Sequence, residues 1–208
     1  MNVKLISFTK EPVRVCASAA WGCTHGDNDY RSPESFTFSE AGDLVVRVLG
    51  RGHESIAEHA SFTFHVSGLS RVTSHQLVRN RIASYAQQSQ RYVDDVRDVV
   101  MPPEIDGSQF ADRAREAEKL VADLYNDMVA CGISGENARY FLMHGAETSI
   151  TITMNAAALR GFFKRRLCLR AQWEIRAMAH AMLSQCSNVA APLFQDQMNC
   201  DHCKEKCK

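Results

Sequence analysis

The chain has 208 residues, 45% of them hydrophobic and 23% charged, with 24 basic and 24 acidic side chains in formal balance. That length suits one sizeable core, and the composition excludes a disordered chain, a collagen-like fibre and a coiled coil. Zero net charge argues against a protein that lives on nucleic-acid backbone, and no apolar run approaches the ~20 residues of a membrane span.

Residues 3–8 (VKLISF) read as a short strand, and Pro12 opens a helix to about residue 20. The start, MNVKLISFTKEP, has no apolar h-region and no small-residue cleavage site, which predicts a cytoplasmic protein. Gly22 to Phe38 is polar and reads as a loop, and residues 40–50 read as a helix closed by Gly50 and Gly52. Residues 61–67 alternate Phe62, Phe64 and Val66 against Thr63 and His65, the pattern of a half-buried strand. Residues 70–80 return to helical spacing, with Ser70 as N-cap. A long helix starts at Asp106 or Ser108 and stops near Gly132, with Phe110, Ala114, Ala117, Val121, Leu124 and Met128 along one stripe. Ser134 caps a further helix to about His144. Residues 148–154 (TSITITM) form the clearest strand, Asn155 caps a helix to about Leu167, and another helix follows from about 170 to 187. Strands and helices alternate without a break, which predicts one α/β or α+β domain. Scattered Cys16, Cys23, Cys131, Cys168 and Cys186 read as small buried hydrophobes of a reducing compartment.

Three polar runs carry more. Arg79 to Tyr92 packs three arginines, two serines and three glutamines with almost no acid. Arginine grips phosphate or carboxylate with two parallel hydrogen bonds, and Gln and Ser can read a uracil-like edge or sugar hydroxyls. Gln76 lies one helical turn before Arg79, so the two can share a site. The run reads as an anion site with a neutral polar specificity pocket, which fits a nucleotide better than a bare phosphate. The second run is Gly52-His53-Glu54-Ser55-Ile56-Ala57-Glu58-His59. Its histidines are six apart and diverge on a helix, so hydrogen bonding is favoured over metal. In Arg160 to Arg176, Arg166 and Arg170 are four apart, hence on one face, and surrounded by apolar side chains. A partly buried arginine needs an anionic or carbonyl partner. A glycine-rich dinucleotide fingerprint, a P-loop and a nucleophile elbow are all missing from the sequence.

Arg79-Asn80-Arg81, then seven residues and Ser89, with Ser84, Arg91 and Tyr92 in register, resembles the Arg-His-Arg signature of the flavin-dependent thymidylate synthases. The resemblance extends to Gly52 through His59 and the Ser-Phe-Thr-Phe strand after it, to Asn137-Ala138-Arg139, to Asn155, and to Arg165 through Arg176. These blocks stand in family order across residues 52–176. Asn80 stands where the signature has histidine, Ala86 and Gln87 where Asn and Glu are common, and Arg170 where some members have His.

The resemblance implies an α+β fold of the thymidylate synthase-complementing type, a small and mostly antiparallel central sheet flanked by helices. It implies a domain over residues 1–195 and a Cys-rich tail over 196–208. It also implies conversion of dUMP to dTMP, with methylenetetrahydrofolate as carbon donor, FAD as hydride carrier and NADPH as reductant. The enzyme would be a homotetramer with active sites at subunit interfaces. By position, Gln76, Arg79, Gln87, Ser89, Gln90, Arg91, Arg139 and Arg166 would bind dUMP, with Arg166 catalytic. His53, Ser55, Arg79, Asn80, Arg81, Gln87, Asn155 and Gly161 would meet FAD. An always-protonated guanidinium such as Arg166 can stabilise negative charge developing on the uracil ring without proton transfer. Ser89 has no histidine within the signature to act as its base, so it is assigned to binding. Two other readings stay open: a relative that leaves a hydroxymethyl group on the pyrimidine, and a non-catalytic nucleotide- or flavin-binding protein. The cluster Cys200, His202, Cys203 and Cys207 reads as a solvent-facing tail rather than a metal site.

Overall fold

The structure is a computed structural model and describes residues 1–92 and 98–197. In chain order the elements are β1 (Asn2–Phe8), α1 (Pro12–Gly22), α2 (Phe38–Gly50), β2 (Ser61–Ser70), α3 (Arg71–Leu77), β3 (Ser84–Gln87), α4 (Pro103–Asp106), α5 (Ala111–Ala130), α6 (Gly135–Ala138), β4 (Glu147–Asn155), α7 (Ala156–Arg166) and α8 (Trp173–Phe194). Short 3₁₀ turns fill Asp27–Asp29, Pro33–Ser35, Glu54–His59, Arg139–Phe141 and Gln195–Gln197. The four strands form one antiparallel sheet in the order β1-β2-β4-β3, flanked by helices, which is the expected α+β class.

The chain divides into two compact units. Of the described residues, one comprises 1–2, 66–78, 86–92 and 98–150; the other comprises 3–65, 79–85 and 151–197. The second unit holds α1, α2, α7 and α8. Phe62, Phe162, Phe163 and Phe194 are all buried in it, and Phe194 meets Phe62 and Phe163 edge-on at ring separations of 5.5 and 5.8 Å. Each such ring contributes about 1.5–3 kcal/mol by leaving water. Gln185 of α8 binds the β1 backbone like a missing peptide: Leu5 N–H donates to its Oε1 at 2.6 Å, and its Nε2 donates to the Val3 carbonyl at 2.8 Å. α8 breaks at a non-helical Ala190, close to the expected end near 187, and a second short helical stretch carries on across the kink to Phe194; Pro192, two residues on, cannot donate a backbone hydrogen bond. Gly42 lets α2 approach there, since a Cβ on it would stand 3.2 Å from Pro192.

In the first unit, Gly68 has φ +69°, and a Cβ on it would also stand 3.2 Å from Met1, so both conformation and space call for glycine. Ser70 caps α3 as expected, accepting from Thr73 N–H at 3.0 Å. Tyr125 of α5 is buried, and the Val99 N–H donates to Glu118 of the same helix at 2.7 Å.

Several expectations need correction. α3 ends at Leu77, before Arg79, so no helical turn joins Gln76 to Arg79. The arginine run also contains a strand, β3, whose four residues of alternating exposure are too short a pattern to read from sequence. α2 starts earlier than residue 40, because Thr37 and Glu40 form a reciprocal capping box: Thr37 N–H donates to Glu40 at 2.8 Å, and Glu40 N–H donates back at 3.2 Å. Ser134 caps nothing through its side chain, and the helix expected to His144 is only α6 and a 3₁₀ turn. On α5, Ala111 and Tyr125 are buried, whereas Phe110 and Leu124 of the expected stripe are exposed and Leu120 is 70% exposed. Arg170 lies beyond the end of α7, so it does not share a helical face with Arg166. Cys16 and Cys186 are buried as expected, and burial pushes the Cys16 thiol up to about 12; Cys23 and Cys131 are exposed instead. The Cys200, Cys203 and Cys207 cluster lies outside the described residues.

Candidate functional site

The first unit gathers most of the residues expected to hold the nucleotide. Gln76 lies on α3, Gln87 ends β3, and Ser89, Gln90 and Arg91 follow directly. Gln87 Nε2 donates to Ser74 Oγ at 3.0 Å and to Thr148 Oγ1 at 3.4 Å. Ser74 spends its own proton on the Arg71 carbonyl at 3.0 Å, so it can only accept from Gln87. This fixes the amide's orientation and leaves its oxygen as the end that can meet a ligand. A glutamate at 87 would place an acceptor where the structure uses a donor.

Beyond Gln87, three arginines converge. Arg71, which sequence reasoning passed over, donates to the Gln88 carbonyl at 2.9 Å, and its Nε is buried with no hydrogen-bond partner. Burial, and then the charge of Arg139, hold its guanidinium below the usual arginine value. Arg91 reaches the Glu136 carboxylate at 3.3 Å, while Arg139 Nε donates to the Glu136 backbone carbonyl at 3.1 Å. One acidic residue on the short α6 turn therefore ties two arginines together and leaves a positive excess. Such an excess of positive charge suits an anion. The available signals were Arg71 immediately after the Ser70 cap and Glu136 three residues before Arg139. Ser89 Oγ accepts the Arg91 N–H at 3.2 Å, and among the described residues neither an imidazole nor a carboxylate bonds to it.

The second unit holds Arg79 and Arg166 of the nucleotide set and every flavin-set residue except Gln87. His53 and Ser55 are exposed at the Glu54–His59 turn. Asn155 Oδ1 accepts the Ala158 N–H at 2.8 Å as the α7 cap, which fixes the amide and leaves its NH₂ group for a ligand. Asn80 Oδ1 accepts from Arg165 at 2.8 Å, and its Nδ2 lies 3.3 Å from Met154 Sδ. Among the described residues, Arg79, Arg81 and Arg165 form no ion pair, and no group of three His, Cys, Asp or Glu is placed to hold a metal. Arg166, in the last turn of α7, is half-buried; burial, then the charge of Arg165, hold its guanidinium below the usual value.

Arg160 is different in kind. It is 4% exposed and donates to both Asp196 oxygens at 2.6 and 2.7 Å, to the Leu193 carbonyl at 2.8 Å, and to Glu54 at 3.5 Å. It ties α7 to the turn that follows His53 and to the chain after α8. Burial acts to raise the Asp196 carboxyl, but the hydrogen bonds and charge of Arg160 outweigh it and hold the group below its ordinary value.

The model of the thymidylate synthase complementing protein family matches residues 4–192. The chain is 42% identical over 201 residues to a flavin-dependent thymidylate synthase of Geobacter sulfurreducens, covering 94% of this chain and 86% of that protein. It is 41% identical over 194 residues to one of Pyrococcus furiosus, covering 89% and 78%. It is 38% identical over 213 residues to one of Clostridium tetani, covering 94% and 86%. Matches of this extent, across both units, show that the chain belongs to the thymidylate synthase complementing protein family, that of the flavin-dependent thymidylate synthases.

Proposed function

We propose that this enzyme methylates dUMP reductively to dTMP, with 5,10-methylenetetrahydrofolate as carbon donor and FAD, reduced by NADPH, as hydride carrier. The observation that carries the reading is the pairing of Arg91 and Arg139 with a single acidic residue, Glu136, with Arg71 close to Arg139 and an amide held in one orientation at Gln87. This suits a nucleoside monophosphate: the arginines take the phosphate, and Gln87, with Gln76, Gln90 and Ser89, takes the sugar and base. Arg166 stabilises negative charge developing on the uracil ring. A guanidinium does this without giving up a proton, even where burial weakens its hold on one. Ser89 binds rather than attacks, since nothing bonded to it can take its proton.

The second unit fits a flavin dinucleotide. Arg79 and Arg81 have no ion-pair partner among the described residues, Asn155 keeps its NH₂ group free of the cap, and Gly161 leaves the α7 surface without a side chain. Bound FAD supplies the hydride chemistry; the chain's own part is to hold it and exclude water. A homotetrameric assembly is supported by apolar side chains left outside the first unit's core, among them Phe110, Leu120, Leu124 and Phe141. Freely dissolved nucleotide substrates suit a cytoplasmic location, with residues 1–195 as the working domain. Product mass from dUMP with methylenetetrahydrofolate, FAD and NADPH tests the reading. A methyl product supports it, whereas a hydroxymethyl product or no turnover overturns it.

A further inference from the structure

Asn80 is the residue of the Arg79-Asn80-Arg81 triplet that departs from the family signature, and its surroundings are built for an amide. Its oxygen accepts from Arg165 Nη2 at 2.8 Å, its NH₂ group faces Met154 Sδ at 3.3 Å, and its backbone carbonyl accepts from Tyr85 OH at 2.8 Å. Burial pushes the Tyr85 phenol up to about 12, against the opposing hydrogen bond to Asn80, so it stays a donor at neutral pH. An amide presents an acceptor and a donor side by side without titrating; a protonated imidazole has no acceptor to offer Arg165.

Arg165 is placed by a second feature. It lies across Gly161, where a Cβ would meet Arg165 Nη1 at 3.5 Å. Arg160, on the same helix, is neutralised by carboxylates. Arg165, by contrast, is held by a neutral group, so its orientation is fixed while its charge remains available. Arg79 and Arg81, on either side of Asn80, likewise form no ion pair among the described residues. Three such guanidinium groups match the two charges of a diphosphate, which arginine grips through paired hydrogen bonds.

We infer that Arg165, oriented by Asn80 across Gly161, binds the diphosphate of FAD in this chain. The inference rests on the flavin reading proposed above. FAD titration of the full chain, with melting temperatures in parallel, tests it. Wild type binds FAD. Arg165→Leu and Asn80→Ala each weaken binding about tenfold, the double variant is no weaker than Arg165→Leu, and Arg165→Lys recovers part of the loss. Arg165 is exposed, so its variants melt with wild type. Asn80→Asp is the discriminating arm. It keeps the hydrogen bond to Arg165 but neutralises its charge, and it binds FAD more weakly than Asn80→Ala. Wild-type affinity in Arg165→Leu, or retained affinity in Asn80→Asp, overturns the inference. A wild-type protein that fails to bind FAD overturns the flavin reading itself.

Discussion

The arginines around Glu136 and the arginine beneath Asp196 make an instructive pair. Arg91 and Arg139 share Glu136, and Arg71 beside Arg139 meets only the Gln88 carbonyl, so positive charge is left over; a buried arginine Nε without a partner occurs in both regions, at Arg71 and at Arg160, and does not separate them. Arg160 meets two carboxylates and a carbonyl, is almost wholly buried, and holds three chain segments together. Residue type is the same in both regions; the ratio of acceptors to guanidinium groups differs, which fits the ligand-binding role proposed for the first and a structural role for the second.

Arg166 sets the largest expected effect, since the proposed function gives its half-buried guanidinium a charge-stabilising task. Arg166→Ala lowers kcat by about 10²–10³, or ~2.7–4 kcal/mol, while FAD stays bound. Steady-state rates beside the flavin absorbance spectrum check this, and near-normal kcat would remove Arg166 from the chemistry.

Arg160→Ala should act on stability instead, lowering it by about 2–3 kcal/mol in thermal or urea unfolding. Asp196, half-exposed and screened by water, accounts for only part of that. Its native pKa is depressed, so its stabilising contribution is full above the ordinary carboxylate range of about 4 and is lost as pH falls through the lower native value. Asp196→Asn should therefore flatten the acid limb of the stability profile and leave neutral pH as its point of largest loss. An unchanged acid limb would contradict the pairing.

These contrasts mark how far the sequence could be read. The phenylalanine alternation of β2, the Ser70 and Asn155 caps and the Ile/Thr alternation of β4 are local patterns, and each appears in the fold. Helix ends were harder. Gln76 with Arg79 and Arg166 with Arg170 have helical spacing, but α3 and α7 stop between the members of each pair. The α5 stripe predicts a buried face, yet periodicity alone cannot say which partner covers it. For the site, the Arg79–Tyr92 run was legible by its chemistry. Arg71 and the Asn80–Arg165 contact were not, because partners separated by 17 and 85 positions leave no local spacing to notice. Arg160 was read together with Arg166 in one basic stretch, and only the fold, by bringing Asp196 to it, sets the two apart.

Smaller effects sharpen the picture of the first unit. Gln87→Glu replaces the amide donor that Ser74 and Thr148 accept, and should weaken dUMP binding by about 1 kcal/mol, read by calorimetry. Equal or tighter binding would mean that the amide's orientation is not what the ligand uses. Ser89→Ala should be milder still: turnover persists and dUMP affinity falls several-fold, within the ~0.5–1.5 kcal/mol of one hydrogen bond. Complete loss of turnover with intact dUMP affinity, or a covalent adduct on Ser89 by mass spectrometry, would make it a nucleophile.

The most direct measurement is dUMP affinity and melting temperature taken together on Arg139→Ala and Arg160→Ala. Arg139 contributes spare charge, so its loss should weaken dUMP about tenfold or more and leave the melting temperature within a degree or two of wild type. Loss of Arg160 should do the reverse, lowering the melting temperature by several degrees while the folded fraction binds dUMP with little change. An Arg139 variant that melts early but binds dUMP normally would contradict the division on which this reading of the protein rests.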